Sequence, residues 1–384
     1  MEKKMKILFV THGADMMGAN RSMLNLIAGL QAYEVECVIL TPDDGKLAAS
    51  VASDQKIIIS SYYRWAHTEY LSKEYWLNYF LQKKNKKRLD VIAEEIKDDN
   101  FDLIYSNSST IGIGAQLADR LNIPHVWRIR EFGEEDYNLS FWKGRTHFIK
   151  WANKAAAISF ISKAIQDKFN QQITAPKYCI YNGVISKVAL NKIIPSNNTG
   201  AFTFLIIGLI HPNKGQFDAI IAFHAIYKEF PNSKLIIVGK GRRLYTRKMK
   251  KYISDHGLSN NINFLGYVDH PHEVYKKVDC LLMCSKSEGM GRVTVEAMIH
   301  GKPVIGYNGG ATPELVKHEK NGLIYSNQKD LSACMTILLK DRALAEQYGK
   351  EGREMAEEFV TEISVAKEYR IFKDLITPVT QKNN

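Results

Sequence analysis

Between residues 278 and 307 the chain passes through an apolar run, a polar loop with two glycines, a helical stretch and a second apolar run, and few folds accept that order. Residues 278–284 have the length and polar borders of a strand buried on both faces. The loop Ser285-Lys286-Ser287-Glu288-Gly289-Met290-Gly291 opens a helix, Gly301 ends it, and residues 303–307 return as a strand. This is a βαβ unit, and it requires a parallel sheet.

The same alternation runs along the whole chain. Strand-like runs at 7–10, 36–40, 102–105, 125–129, 156–158 and 178–181 are interleaved with helical patterns such as 22–30 and 89–97. A polar, turn-rich break at Pro195-Ser196-Asn197-Asn198-Thr199-Gly200 precedes a second cycle, with strands expected at 202–208, 234–239, 262–265, 278–284 and 303–307 and a helix at 216–230. A chain of 384 residues exceeds what one core usually supports, so two α/β domains are expected, with the linker at that break.

Ligands in such sheets bind beyond the carboxyl ends of the strands, and Gly208, Lys214, Gly239, Gly266, Tyr267 and Glu288 all follow expected strand ends. Gly289 and Gly291 let backbone N–H groups at a helix start approach an anion, where the helix dipole also favours negative charge. A diphosphate fits there. Glu288 on the loop can then face a sugar beside the phosphates, while Glu296 on the helix accepts hydrogen bonds from ribose hydroxyls. A Glu near a helix N-terminus is also favourable without a ligand.

Glu288 and Glu296 bracket seven residues and are followed by Ala297-Met298, Gly301-Lys302-Pro303-Val304-Ile305 and Gly309-Gly310 with Glu314. This pattern resembles the family 4 glycosyltransferases, the large retaining group with the GT-B fold. The likeness extends to Lys6-Ile7-Leu8-Phe9-Val10, to Gly18-Ala19-Asn20-Arg21-Ser22 and to the segment from Gly208 to Lys214-Gly215. It implies two Rossmann-like β/α/β domains facing across a deep cleft. Residues 1–195 would bind the acceptor, with a C-terminal helix at about 363–384 crossing back to them, and residues 196–362 would bind a nucleotide-sugar donor.

The resemblance further implies Glu288 and Lys214 as catalytic residues. Donor binding would fall to Gly208, Lys214, Gly239, Gly266, Tyr267, Glu288, Gly289, Met290, Gly291 and Glu296, and the acceptor side to Gly18, Asn107 and Arg130. Two positions depart from the family: Leu209 stands where many members have an arginine, and Arg130 where many have an active-site histidine. Arg130 and Glu131 can instead form an ion pair. The mechanism implied is front-face attack without a protein nucleophile. No cofactor or metal is expected, because Asp98-Asp99 and Glu134-Glu135-Asp136 read as solvated faces rather than ligands. The expected function is transfer of a sugar from a nucleoside diphosphate sugar to a glycan or lipid-linked acceptor, in cell-surface polysaccharide or glycoconjugate synthesis. An epimerase or phosphorylase of the same fold, or an inactive scaffold that binds carbohydrate or nucleic acid, is the alternative.

Lys and Arg number 52 against 41 Asp and Glu, a net charge of +11 that favours an anionic partner. The segment from Tyr62, Tyr63 and Trp65 through Trp76, Tyr79 and Phe80 to Lys83, Lys84, Lys86, Lys87 and Arg88 joins aromatics to dense positive charge. It suits an anionic membrane surface and would also suit a nucleic acid, and a core-packing aromatic helix with a solvated basic end reads equally well; for the whole chain, nucleic acid is not an expected partner. Five scattered cysteines without metal-ligand spacing read as reduced thiols, and no apolar run is long enough to span a bilayer. The expected location is cytoplasmic, peripheral at the inner face of the cell membrane.

Overall fold

The computed structural model describes residues 4–51, 55–68, 72–137, 139–269 and 271–377; residues 380–384, expected to fray, lie outside them. The chain divides into two compact units, residues 1–183 with 361–384, and residues 184–360. The division falls ahead of the polar break expected to be the linker. Val184 donates to the Phe359 carbonyl at 2.8 Å, Ile185 bridges to Val360, and Arg353 donates to the carbonyls of Leu190 and Ile193, so residues 184–195 are held by the second unit.

The first unit holds the strands β1 (Lys6–Val10), β2 (Glu36–Thr41), β3 (Ile57–Ile59), β4 (Ala66–Thr68), β5 (Leu103–Ser106), β6 (His125–Ile129), β7 (Leu139–Phe141), β8 (Ala157–Phe160) and β9 (Lys177–Cys179). Seven of them form a parallel sheet in the order β3-β2-β1-β5-β6-β8-β9, while β4 and β7 pair antiparallel beside it. Successive side chains of a strand point to opposite faces, and both faces here are covered. Ile7 and Phe9 pack with Met23, Leu26 and Phe372; Leu8 and Val10 pack with Ile92, Ile96 and Leu117.

The helix Thr361–Ile376 belongs to this first unit; the expected C-terminal helix at about 363–384 runs beyond the described residues. Phe372 meets the Tyr105 ring edge-on at 5.7 Å, and a Cβ on Gly29 would stand 2.5 Å from Val365. Glu368 accepts from Arg128 at 2.6 Å and from Ser159 at 2.7 Å, and the ion pair is almost wholly buried.

The second unit holds β10 (Thr203–Ile207), β11 (Lys234–Val238), β12 (Ile262–Gly266), β13 (Cys280–Met283), β14 (Val304–Tyr307) and β15 (Gly322–Tyr325) in one parallel sheet, ordered β12-β11-β10-β13-β14-β15. Phe204 and Ile206 face a core with Phe223, Leu235 and Met335; Leu205 faces the opposite core with Val278 and Val304. In each sheet the strand order reverses once at the centre, between β1 and β5 and between β10 and β13. Loops that leave neighbouring strands at such a point diverge to opposite sides and open a crevice. Among the described residues no helix is long and apolar enough to cross a membrane.

Candidate functional site

The reversal in the second sheet brings together the two segments singled out in the sequence. After β10 the chain turns through Gly208 and Leu209 into a short helical turn, Pro212–Lys214. After β13 it passes through Ser285 and Glu288 to the helix Arg292–Ile299. Lys214 Nζ and Glu288 Oε2 meet at 2.7 Å, across 74 positions of sequence, with both side chains mostly but not fully covered. A cation and a carboxylate are thus joined at the crevice beside a helix N-terminus.

Glycines set this geometry where no larger residue fits. Gly215 (φ 68°) ends the Lys214 turn, and a Cβ there would stand 2.4 Å from the Cys284 carbonyl oxygen, so the turn lies directly on the end of β13. Gly310 (φ 55°) does the same for the other loop. Its Cβ would meet the Glu288 nitrogen and oxygen, each at 2.6 Å, and Ala311 donates to the Glu288 carbonyl at 2.8 Å. The segment after β14 therefore supports the Glu288 backbone from behind.

Gly291 (φ 85°) precedes the helix Arg292–Ile299, whose first turn carries no side-chain cap from it and no acidic residue. Glu296, on that helix, sits 3.4 Å from the Tyr275 hydroxyl and 3.8 Å from Arg292 Nε. Burial first, and then the Glu296 carboxylate, push the Tyr275 phenol well up, which keeps it a proton donor. Gly208, Gly239 and Gly266 lie side by side at the ends of β10, β11 and β12: Gly239 donates to the Gly266 carbonyl at 2.7 Å, and its Cβ would lie 1.8 Å from the Gly208 oxygen. Tyr267, 51 % exposed, carries Lys240 over its ring at 5.8 Å. Gly289 lies in the loop, and Met290 beside it is only 2 % exposed.

Leu209 is exposed, and its carbonyl accepts from the buried Gln216, which also receives the His211 N–H. Burial, then Arg242 and Lys214, lower the His211 imidazole, so it stays neutral near pH 7. Gln216 was not singled out in the sequence; a polar residue directly after Lys214-Gly215 was the signal available.

In the first unit the structure corrects one expectation. Arg130 forms no side-chain pair with Glu131. Its guanidinium donates to Asn107 Oδ1 at 2.7 Å and to Asn182 Oδ1 at 2.8 Å, while the Glu131 carboxylate accepts from both hydroxyls of Ser108 and Ser109. Consecutive residues at a strand end point to opposite sides, so the two charges cannot face each other. Asn107 is also turned inward: it is wholly buried and donates to Ala19 O and Asn20 Oδ1. Asn20, missed in the sequence, is wholly buried and ties the loop after β1 to the helix Gly18–Leu30 by donating to Gly13 O and Asp15 O. Gly18 is exposed at the start of that helix.

Two family models match this chain: Glycosyltransferase Family 4 over residues 16–187 and Glycosyl transferases group 1 over residues 190–355. An uncharacterized glycosyltransferase of Methanocaldococcus jannaschii is 31 % identical over 289 residues, 73 % of this chain and 77 % of the relative. The alpha-monoglucosyldiacylglycerol synthase of Acholeplasma laidlawii is 24 % identical over 96 % of each chain. Among solved structures, Anabaena HepE superposes with a TM-score of 0.78 at 20 % identity, covering 96 % of this chain and all of that one, and the shared fold is GT-B. With both halves of the chain matched by models of this family and a glycosyltransferase relative 31 % identical over most of its length, the chain belongs to glycosyltransferase family 4.

Proposed function

We propose that the protein is a retaining glycosyltransferase that takes a sugar from a nucleoside diphosphate sugar and passes it to a glycan or lipid-linked acceptor, in the synthesis of cell-surface polysaccharide or glycoconjugate. The observation that carries this reading is the Lys214–Glu288 pair at the strand-order reversal, beside the N-terminus of the helix Arg292–Ile299. Lys214 and the helix N–H groups neutralise the departing diphosphate, Glu288 holds the transferred sugar and Glu296 the ribose. The acceptor hydroxyl attacks the anomeric carbon on the face from which the diphosphate leaves; as that carbon–oxygen bond breaks, the hydroxyl proton passes to the leaving phosphate oxygen. No protein nucleophile takes part. Lys214 supplies charge that a metal ion supplies elsewhere, so turnover is proposed to be metal-independent.

The first unit takes the acceptor. HepE has been crystallised with UDP and glucose and with UDP-glucose, and the Acholeplasma relative is named for a glycolipid product; both support a donor and an acceptor of these classes. All five cysteines stand as free thiols, which supports a reducing compartment such as the cytoplasm.

The test is a panel of UDP-, GDP- and ADP-sugars with purified protein, read as nucleoside diphosphate release, followed by the anomeric configuration of the product by NMR. One donor should be turned over, with retention, and excess chelator should leave the rate intact. Failure to bind or turn over every donor overturns the reading; inversion overturns the mechanism, and metal-specific rescue overturns metal independence.

A further inference from the structure

The helix Ser72–Ile96 is two-faced in a way that its burial in the first unit does not require. Asn78, Asn85, Ile92 and Ile96 point inward, Asn85 exchanging hydrogen bonds with the Tyr63 backbone at 2.8 Å. On other faces Trp76, Leu77 and Phe80 are 60 %, 58 % and 58 % exposed. Tyr62 and Trp65, grouped with them in the sequence, are core residues and take no part.

The fold adds a second segment that the sequence did not connect. Tyr79 is in ring contact with Trp76 at 6.2 Å and Phe80 at 5.7 Å on its own helix, and with Trp142 at 5.7 Å, so the turn at Trp142-Lys143 joins the cluster. Lys83 Nζ lies 4.6 Å over the Tyr79 ring, and Lys83, Lys84, Lys86, Lys87, Arg88 and Lys143 are all exposed. Neither residues 76–89 nor residues 142–151 contain a single Asp or Glu. Exposed aromatic and aliphatic side chains bordered by uncompensated cations are the two components of interfacial membrane binding: the apolar groups enter the headgroup boundary and the cations meet anionic lipid. Nucleic acid would use the cations but leaves Leu77 and Phe80 without an apolar medium.

We propose that the face formed by Trp76, Leu77, Phe80 and Trp142 with the adjacent cations docks the protein onto an anionic lipid bilayer. This goes beyond the proposed reaction and is tested without a donor. The full chain is sedimented with vesicles of phosphatidylcholine alone and of phosphatidylcholine with phosphatidylglycerol, over a range of NaCl. Binding should require the anionic lipid and weaken with salt. Neutralising Lys83, Lys84 and Lys87 to Gln should lower the partition constant by about 100-fold, since each cation near such a surface is worth roughly fivefold. Replacing Trp76, Leu77 and Phe80 with Ser should lower it also at high salt, where the electrostatic part is screened. Thermal melting shows that each variant folds; a variant that does not is replaced by the single changes Lys84→Gln and Phe80→Ser. Equal binding to neutral and anionic vesicles, wild-type binding by both variants, or tighter binding to a single-stranded oligonucleotide than to the vesicles overturns the proposal.

Discussion

Gly310→Ala is the change that most directly separates a built site from a loop that merely looks like one. The new methyl group would be placed 2.6 Å from both the nitrogen and the oxygen of Glu288, where ordinary contact begins near 3.4 Å. Neither contact is a flexible side-chain end, so the Glu288 loop has to retreat by an amount on the order of 1 Å, and a misplacement of that size typically costs about 100-fold in rate. Part of the effect is unrelated to the site, because φ of 55° is strained for any L side chain, at roughly 1–2 kcal/mol. Gly257→Ala isolates that part: φ there is 68°, and a Cβ would meet nothing within 4 Å. Both variants should lose similar stability in urea unfolding, the Gly310 variant somewhat more. Only Gly310→Ala should lose donor turnover, by about 100-fold in kcat/KM. If the two variants turn over donor equally well, Glu288 does not need its position and the site as described is wrong.

The two carboxylates should separate kinetically: Glu288→Gln should lower kcat, by about 100-fold for loss of one charged group at the reacting centre, and Glu296→Gln should instead weaken nucleoside diphosphate binding by ~1.5–3 kcal/mol, measured by calorimetry. Wild-type values for both variants would make the pair structural. Glu368→Gln leaves the buried Arg128 without its counter-charge and should destabilise the first unit by about 3–5 kcal/mol; a loss below about 1 kcal/mol would show that Ser159 and the Ile180 carbonyl suffice to hold Arg128. Burial lowers His125 to about 3, so the folded unit keeps it neutral while the unfolded chain takes up a proton near pH 6.5. The contribution is present above that pH and is lost as pH falls toward 3, at up to about 1.4 kcal/mol per pH unit. His125→Gln should flatten this acid limb of the urea midpoint, and an unchanged slope would contradict the assignment.

Local rules were enough to read most of this protein. Buried parallel strands are short apolar runs between polar turns, and β6 falls where the sequence placed it, at His125–Ile129. Runs with weaker borders were missed: β3 is three isoleucines forming the edge strand, β15 opens on Gly322, and β4 and β7 are three-residue strands that exist only by pairing with each other. The juxtaposition of Glu288, Glu296 and Gly291 was legible because the glycine loop, the helix start and the two carboxylates are contiguous in sequence, and Lys214 because it follows a strand end. What sequence could not supply is contact across long separations. The Lys214–Glu288 pair, the support of Glu288 by Gly310, the Arg128–Glu368 pair and the Tyr79–Trp142 contact each depend on which strands lie next to each other, and the order β12-β11-β10-β13-β14-β15 is fixed only when helices pack on both faces of the sheet. The same packing decided the fate of Arg130: a charged residue at a strand end reads as available for a ligand, and the closing of Asn107 and Asn182 around it made it part of the interior. Sequence alone therefore determined most of the elements and the residue types they carry, and tertiary structure decided which of those groups meet, because burial and strand order are properties of the whole sheet.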